Sequence, residues 1–205
     1  MDWQYIWEGI LEGLAQTTLL EAVAAFFGVA SVFYSIKKNI LVFPTGIIST
    51  LIYIYITVVV GLYADMGINF YYTAMSIYGW YVWSKPTPTG EERPVTYLKK
   101  SGIFYSVAIF AASYLTLYLV LSNYTDSTVP YWDSFTTSSA FVGMWLMAKK
   151  KVENWIAWII TDLVSVPLYW HKGLILTSFQ FMVFTVLAIL GLIAWMKAAK
   201  KPIYA

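Results

Sequence analysis

One twenty-residue stretch concentrates the side chains that could bind a small molecule. At helical spacing it places Trp155, Trp158, Asp162 and Ser165 on one face of a helix predicted over 152–170, with apolar residues on the other face. A carboxyl group about ten residues into such a segment would lie near the middle of a bilayer. Its ionised form is costly there unless it is paired or hydrated, so Asp162 is a candidate functional residue. The alternative is a structural Asp that is hydrogen-bonded to a neighbouring hydroxyl.

The composition is that of a polytopic membrane protein. Hydrophobic residues make up 60% of the 205 residues, charged residues 12%, and the mean hydropathy is +0.65. Soluble domains carry about a quarter charged residues. The sequence has no cysteine, so we expect no disulfide, thiol nucleophile or iron–sulfur cluster. The N-terminal residues include Asp2, Glu8 and Glu12 and lack a basic region, so they do not form a typical signal peptide.

Seven apolar spans are predicted, preceded by an amphipathic N-terminal helix that carries its Trp, Ile and Leu side chains on one face. Pro44 and Gly46 are expected to interrupt the second span, and Pro167 the sixth. The spans are predicted at 19–36, 40–60, 67–84, 101–121, 131–148, 152–170 and 173–196.

Basic residues are distributed unevenly between the predicted loops. If the loops after spans one, three and five share one side with the C-terminus, that side holds twelve of the thirteen Lys and Arg residues. Only Lys172 lies on the opposite side. Because positively charged loops face the cytoplasm, we expect a multi-pass membrane protein with its N-terminus outside and its C-terminus cytoplasmic.

The sequence contains an internal repeat, because its second half aligns with its first half at one constant offset without a gap. This alignment, called the repeat register below, places Trp83 on Trp195 and Gly79 on Gly191. In this repeat register, spans one to three match spans five to seven, and the fourth span must cross back for both triplets to run the same way. We therefore predict an all-α fold with seven transmembrane helices in a 3+1+3 arrangement of parallel repeats, a plan in which transporters bind substrate where the repeats meet. The predicted single transmembrane domain, 1–205, divides into an amphipathic helix (1–18), repeat one (19–84), a linker and connecting helix (85–130), repeat two (131–197) and a cytoplasmic tail (198–205).

Neighbouring spans offer further polar groups. The middle span of repeat one carries Thr50 and Tyr53, span three carries Asn69, and span seven carries Gln180 at a similar depth to the carboxyl of span six. Helix–helix hydrogen bonding would explain the two amides equally well. At the start of span five, Asp133 is interpreted as a helix cap, with an acidic residue of the first helical turn as the alternative. Interface belts and packing account for a further set of tryptophans: Trp3, Trp7, Trp83, Trp170 and Trp195.

The combination of two indoles with a carboxyl group narrows the choice of ligand. Indole faces attract flat rings and cations, and a carboxylate supplies a countercharge or accepts hydrogen bonds from an amine. Trp155, Trp158 and Asp162 together therefore favour a cationic or amino-substituted aromatic molecule. A sugar phosphate would need Arg or Lys at mid-membrane depth, where the sequence has none.

Other classes of membrane protein fit less well. A retinal protein needs a lysine within its last helix, and 174–195 contains none. Intramembrane proteases need a Ser–His pair or paired Asp residues, and the single histidine, His171, lies in an outer turn. Without a Walker motif or metal cluster we expect no enzymatic activity, cofactor, metal or nucleic-acid partner. The alternative from another class is a ligand-binding membrane receptor or scaffold, but the internal repeat favours a transporter, because alternating access needs two moving halves.

Three stretches resemble the PnuC-type vitamin transporters: GLYADMGINFYYTAMSIYGWYVW (61–83), PYWDS (130–134) and ENWIAWIITDLVSVPLYWHKGLILTS (153–178). The similarity covers about residues 20–197. It implies a fold like an enlarged SWEET transporter, and vitamin uptake by facilitated diffusion with trapping by a cytoplasmic kinase. It is also compatible with a homo-oligomer such as a trimer. On the matching positions, the motif residues of the family are Asn154, Trp155, Trp158, Asp162 and Ser165, with Trp132 and Asp133, and for all of them except Asp133 we expect a role in substrate binding. The resemblance also implies a location in the bacterial inner membrane.

Residue 162 bears on the choice of substrate. The resemblance allows nicotinamide riboside, thiamine, riboflavin or a deoxynucleoside, and the nicotinamide riboside carriers have Asn where this chain has Asp162. An amide suits the nicotinamide carboxamide, whereas a carboxylate suits an aminopyrimidine and offsets a thiazolium cation. The LYADMGxN stretch resembles the thiamine branch, PnuT. We therefore expect thiamine as the substrate, with nicotinamide riboside as the alternative.

Overall fold

The structure, a computed structural model, describes residues 3–88, 90 and 92–200, and this part of the chain forms eight helices. Each of the seven predicted spans is a helix, with ends within four residues of the predicted ones. The predicted N-terminal helix is also present, whereas residues 201–205 of the predicted tail lie outside the described residues. The helices are α1 (Trp3–Gln16), α2 (Leu19–Ile36), α3 (Val42–Val60), α4 (Tyr63–Ser84), α5 (Lys100–Tyr124), α6 (Pro130–Ala148), α7 (Asn154–His171) and α8 (Ile175–Ala199).

Four of the described helices, α2, α3, α5 and α8, are long and apolar enough to cross a membrane. The helices α4, α6 and α7 have similar lengths, 22, 19 and 18 residues, but carry more polar side chains. Many of these side chains are buried against other helices, among them Ser134, Ser138 and Asn154. Polar side chains that are directed inwards lower the mean hydropathy of a helix without meeting lipid. That α4, α6 and α7 also cross the membrane, for a total of seven spans, stays a prediction.

The predicted breaks in the second and sixth spans are wrong, because both helices are continuous. Helix α3 begins at Val42, so Pro44 lies in the first turn, where a backbone N–H has no intrahelical acceptor to lose. Gly46 lies within the same unbroken helix. Pro167 lies inside α7, which continues to His171.

Matched turns connect the helices of the two triplets. Lys38, after α2, has a φ of 58°, and Lys150, after α6, has a φ of 56°. Gly61, after α3, has a φ of 84°, and Gly173, after α7, has a φ of 76°. Both pairs are equivalent in the repeat register, which also places the ends of α2, α3 and α4 within three residues of those of α6, α7 and α8. Two copies of one three-helix unit would produce this correspondence.

Six helices form a closed ring. Helices α2, α3 and α4 pack in chain order, as do α6, α7 and α8, and the ring closes where α4 packs on α6 and α2 packs on α8. Helix α5 packs on α6. Helix α1 lies against the start of α8, where Gly9 and Gly13 leave room for Ile175 and Leu176. The ring leaves an interior space between the two triplets.

Tryptophan hydrogen bonds connect the triplets at one end of this ring. The Trp83 Nε1 of α4 donates to the carbonyl oxygen of Ala148 at 3.2 Å, and the Trp195 Nε1 of α8 donates to that of Ser35 at 2.9 Å. Each indole therefore reaches from the third helix of one triplet to the first helix of the other. Both indoles are buried, so Trp83 and Trp195 are packing residues and do not belong to an interface belt.

Candidate functional site

A cavity of about 300 Å³ lies inside the ring, between the two triplets. All six ring helices contribute to its wall. Pockets of this size accommodate small molecules. Seven of the ten binding residues predicted from the sequence line it: Thr50, Tyr53, Asn69, Trp155, Trp158, Asp162 and Gln180.

Asp162 is the acidic residue of this cavity wall within the described part of the chain. It lies two turns into α7, and only 4% of its surface is exposed. Among the described residues its carboxyl has no hydrogen-bond or ion-pair partner. Burying a carboxyl without a partner carries a desolvation cost, which a bound ligand could offset by supplying a donor or a positive charge.

Two glycines determine where the indoles of the cavity lie. A Cβ added to Gly143 of α6 would lie 3.1 Å from Trp158 Cε2, and one added to Gly191 of α8 would lie 2.5 Å from the Trp155 ring. The two indoles therefore pack directly on neighbouring backbones. Trp155 also makes an edge-to-face contact with Trp195 at 5.8 Å between ring centroids. Packing from behind restricts the rings, so they form a preorganised aromatic surface for a ligand.

The remaining predicted groups in the wall differ in their hydrogen bonding. Thr50 Oγ1 shares a hydrogen bond of 2.7 Å with Thr73 Oγ1, and Asn69 Nδ2 donates to a carbonyl oxygen of its own helix at 2.9 Å. These groups are already engaged by the protein. The side chains of Tyr53 and Gln180, by contrast, have no hydrogen-bond partner among the described residues. A phenol and an amide are thus available to a ligand.

The other three predicted binding residues do not line the cavity. Trp132 lies in the first turn of α6 and is 56% exposed. Asn154 is fully buried at the start of α7, where its Nδ2 donates to the carbonyl oxygen of Lys151 at 2.6 Å. Ser165 is buried one turn beyond Asp162 in α7. Helical spacing placed Ser165 on the same face as Asp162, but Ser165 is buried and does not line the cavity.

Asp133 lies in the first turn of α6, where Val129 occupies the N-cap position without a side-chain cap hydrogen bond. The Asp133 carboxylate accepts a hydrogen bond from Ser127 Oγ at 2.7 Å and forms an ion pair with Lys172 Nζ at 2.7 Å. It therefore ties the turn after α7 to the start of α6. The predicted helix cap is wrong, because Val129 is the N-cap residue, whereas the alternative, an acidic residue in the first turn, is confirmed.

One wall of the cavity was not predicted. Helix α2 contributes Ala25, Gly28, Val32 and Ser35, which recur at helical spacing and share one face. The spacing was visible in the sequence, but small residues on one helix face equally indicate close helix packing. Further lining residues outside the predicted set are Ser31, Val42, Gly46, Ser49, Tyr72, Ser76, Met144, Met147, Phe181, Phe184 and Ala188.

Comparison with known proteins identifies relatives over most of the chain. The nicotinamide riboside transporter PnuC of Escherichia coli (strain K12) is 25% identical over 207 residues, covering 89% of this chain and 87% of that protein. The riboflavin/roseoflavin transporter RibM of Streptomyces davaonensis is 26% identical over 127 residues, covering 60% of this chain and 59% of that protein. The crystal structure of the vitamin B3 transporter PnuC has a similar fold, with a TM-score of 0.70 at 21% identity over 96% of this chain and 89% of that chain.

The family profile described as nicotinamide mononucleotide transporter matches residues 18–197. This range contains the six helices of the ring, except for the last two residues of α8, and all residues that line the cavity. The chain therefore belongs to the PnuC family of multi-pass membrane transporters, as the resemblance of its motifs implied.

Proposed function

We propose that this chain mediates uptake of an aromatic, cationic B-type vitamin, with thiamine as the substrate. The observation that carries the proposal is the carboxyl of Asp162, buried in the cavity wall without a partner among the described residues, on the same helix face as Trp155 and Trp158. Thiamine combines a thiazolium cation with an aminopyrimidine donor. Both of its rings can stack on indoles, and either the cation or the amine can pair with the carboxylate.

The remaining available groups support a ligand with polar atoms away from its rings. Gln180 can donate and accept through its amide, and Tyr53 can do both through its hydroxyl. A hydroxyalkyl group such as that of thiamine would supply the complementary atoms. In this proposal Asp162 selects the charge, Trp155 and Trp158 select flat rings, and the two polar side chains orient the ligand.

Nicotinamide riboside is the second candidate, because proteins named as nicotinamide riboside transporters align over most of the chain. Its pyridinium ring is likewise aromatic and cationic, so the indoles do not distinguish it from thiamine. Its carboxamide, however, both donates and accepts hydrogen bonds, whereas an ionised Asp162 only accepts. The carboxylate therefore favours thiamine over nicotinamide riboside.

Asp162→Asn tests this choice of substrate. The substitution keeps the side-chain volume, removes the charge and replaces an acceptor by a donor. We expect thiamine affinity to fall by about ten- to a hundredfold, or about 1–3 kcal/mol, because a mismatched hydrogen bond replaces a charge-assisted one. Nicotinamide riboside should lose much less affinity or gain some. Calorimetric titration of thiamine and of nicotinamide riboside into the wild-type protein and the Asn variant measures these four affinities. A wild type that prefers nicotinamide riboside, or an Asn variant with unchanged thiamine affinity, would remove thiamine as the substrate.

We further propose alternating access between two parallel repeats, α2–α4 and α6–α8, in a seven-span, SWEET-like arrangement with α5 as the connecting span. The agreement of helix ends and left-handed turns in the repeat register supports this arrangement. So does the position of the cavity between the triplets. The distribution of basic residues supports a cytoplasmic C-terminus. Because the sequence has no cysteine, single cysteines at Glu12 and Lys197 should be labelled from opposite sides of intact cells.

Transport without ion coupling follows from the same cavity, whose described wall holds one acidic residue and therefore no relay of acids. We expect proteoliposomes to equilibrate thiamine without concentrating it. Accumulation of unmodified thiamine above equilibrium, driven by a proton or sodium gradient, would show that the facilitated-diffusion proposal is wrong. In the facilitated-diffusion proposal, net uptake depends on a cytoplasmic kinase that traps the vitamin. A gene for a thiamine kinase or a nicotinamide riboside kinase beside this one would also separate the two substrates.

A homo-oligomer such as a trimer is part of the same proposal. Helix α5 packs on α6 and leaves large apolar side chains exposed, including Phe104, Val107 and Leu115. This surface suits lipid or another copy of the chain. Native mass spectrometry from detergent, repeated after Phe104→Ala, would measure the number of copies and show whether α5 contributes to their contact.

A further inference from the structure

The linker between α4 and α5 is held against the turn between α6 and α7. The backbone N–H of Thr96 donates to the carbonyl oxygen of Lys150 at 3.2 Å, and that of Val152 donates to Thr96 at 3.1 Å. The N–H of Leu98 donates to both carboxylate oxygens of Glu153 at 3.0 Å. These bonds fix the linker as one wall of a structured surface.

A second cavity, of about 280 Å³, lies between this linker and the turn. Arg93 of the linker and Lys149 and Lys151 of the turn line it, and the hydroxyls of Thr87 and Thr96 add polar groups. No acidic residue is among its lining residues in the described part of the chain. Prolines, whose rings restrict the backbone, form the remainder of the wall: Pro86, Pro88 and Pro94.

The cations of this cavity are close enough to influence one another. The pKa of Lys151 is lowered from its ordinary value mainly by burial, and further by Lys99, Lys149 and Arg93, whereas Glu153 acts in the opposite direction. In the described residues neither Arg93 nor Lys149 forms a salt bridge. Three cations line this concave site, and none of its described lining residues is acidic. Even with Glu153 nearby, this excess of cations produces a positive potential that an anion would relieve.

We propose that this second cavity binds a phosphate-bearing anion, either free phosphate or diphosphate or the headgroup of an anionic lipid. Arg93 offers the planar fork that matches two phosphate oxygens, the two lysines add positive charge, and the Thr96 hydroxyl can donate a hydrogen bond. The cavity shares no lining residue with the substrate cavity, so it is a separate site. It lies on the face that carries most of the basic residues, where an anionic leaflet would meet the protein.

The test compares two variants that each remove two positive charges from this face. Arg93→Gln/Lys149→Gln alters the cavity and spares Lys151, whose Nζ donates to Thr96 Oγ1 at 2.7 Å and helps to hold the linker. Lys197→Gln/Lys200→Gln is the matched control, because both side chains are exposed near the end of α8 and neither lines the cavity.

Two measurements distinguish the sources of phosphate. Calorimetry of sodium pyrophosphate with protein in neutral detergent tests a free anion, and native mass spectrometry after reconstitution in phosphatidylcholine and phosphatidylglycerol tests a lipid headgroup. We expect the wild-type protein to bind pyrophosphate, phosphatidylglycerol or both. In the cavity variant, Arg93→Gln/Lys149→Gln, the pyrophosphate affinity or the amount of retained phosphatidylglycerol should be about tenfold lower. The control variant should stay within about twofold of wild type, since Arg–phosphate contacts are stronger than general surface attraction.

Three results would overturn the proposal. One is that wild type binds neither probe, and another is that both double variants lose binding equally, which would indicate a general effect of positive surface charge. Melting temperature and thiamine affinity without added anion report whether the cavity variant is folded. If the cavity variant does not fold, the single variant Arg93→Gln is tested in its place, because this side chain is exposed and forms no described salt bridge. Unchanged binding in a folded Arg93→Gln protein is the third result.

Discussion

Trp158→Ala should weaken thiamine binding while leaving the fold intact. The indole packs on the backbone of Gly143 on one side and lines the cavity between the two triplets on the other. An indole buries about 150–250 Å², and if about a third of that faces the ligand, the lost apolar contact is worth about 1.5 kcal/mol at about 25 cal/mol per Å². A desolvated ring–cation contact adds about 0.5–2 kcal/mol. Together these contributions give an expected loss of about 2–3.5 kcal/mol, or about 30- to 400-fold in affinity.

The assay is calorimetric titration of thiamine into purified protein, paired with a thermal melt of each variant. Trp195, which lies outside the cavity wall, would be a poor control, because it is fully buried and its Nε1–H hydrogen-bonds to Ser35. Trp80 of α4 is the matched control, since it is exposed and does not line the cavity. Thiamine affinity should change less than twofold in Trp80→Ala. Equal losses in both variants, or an unchanged affinity in Trp158→Ala, would refute the placement of the ligand against this indole.

Two further predictions follow from the packing. Gly143→Ala adds a methyl group about 3.1–3.3 Å from the Trp158 ring, and calorimetry should show a three- to thirtyfold loss of thiamine affinity, about 1–2 kcal/mol; Gly67→Ala, which has open space, should not change it. Lys172→Gln leaves the partly buried Asp133 without its cation, so unfolding stability should fall by about 1–2 kcal/mol in a thermal melt. Combining it with Asp133→Asn should cost less than the sum of the single variants, and strict additivity would mean that the ion pair contributes nothing.

The helices were predictable because most residues in a bilayer must be apolar, and long apolar runs have recognisable ends. The prediction was least accurate for α4, which begins at Tyr63, four residues before the predicted span. Its first turn contains Asp65, so hydropathy placed it outside the apolar run although its backbone is helical. The turn residues followed the repeat because Gly61 and Gly173 supply the left-handed conformation that ends a helix. Lys38 and Lys150 adopt it without being glycine, which the sequence alone does not indicate.

Prediction of the cavity was limited by a different physical cause. Periodicity identifies a helix face, but it does not specify which residues of that face are covered by neighbouring helices. Asp162 and Ser165 share a face, yet only Asp162 lines the cavity. Trp132 was placed by its resemblance to a motif, whereas the structure leaves it exposed in the first turn of α6. The α2 wall was missed because the same small residues serve helix packing and cavity lining equally well.

The two triplets share a frame but not a binding surface. In one, the Phe43 ring packs against Gly79, and in the other the Trp155 ring packs against Gly191, at positions that are equivalent in the repeat register. In the same register, Thr50 of the first triplet corresponds to Asp162 of the second. Thr50 is hydrogen-bonded within its own triplet, whereas the Asp162 carboxyl has no partner among the described residues.

This asymmetry separates the contacts that hold the ring together from those that select a ligand. The tryptophan hydrogen bonds between the triplets involve neither the carboxyl of Asp162 nor the indole of Trp158. The contacts of aromatic side chains with glycines do not involve the carboxyl of Asp162 either. Substitutions at these two positions should therefore change which aromatic molecule binds with little effect on the helical frame. On this argument, transporters with one common frame can differ in substrate through a few side chains of α7, and the charge at residue 162 is the difference with the largest electrostatic consequence.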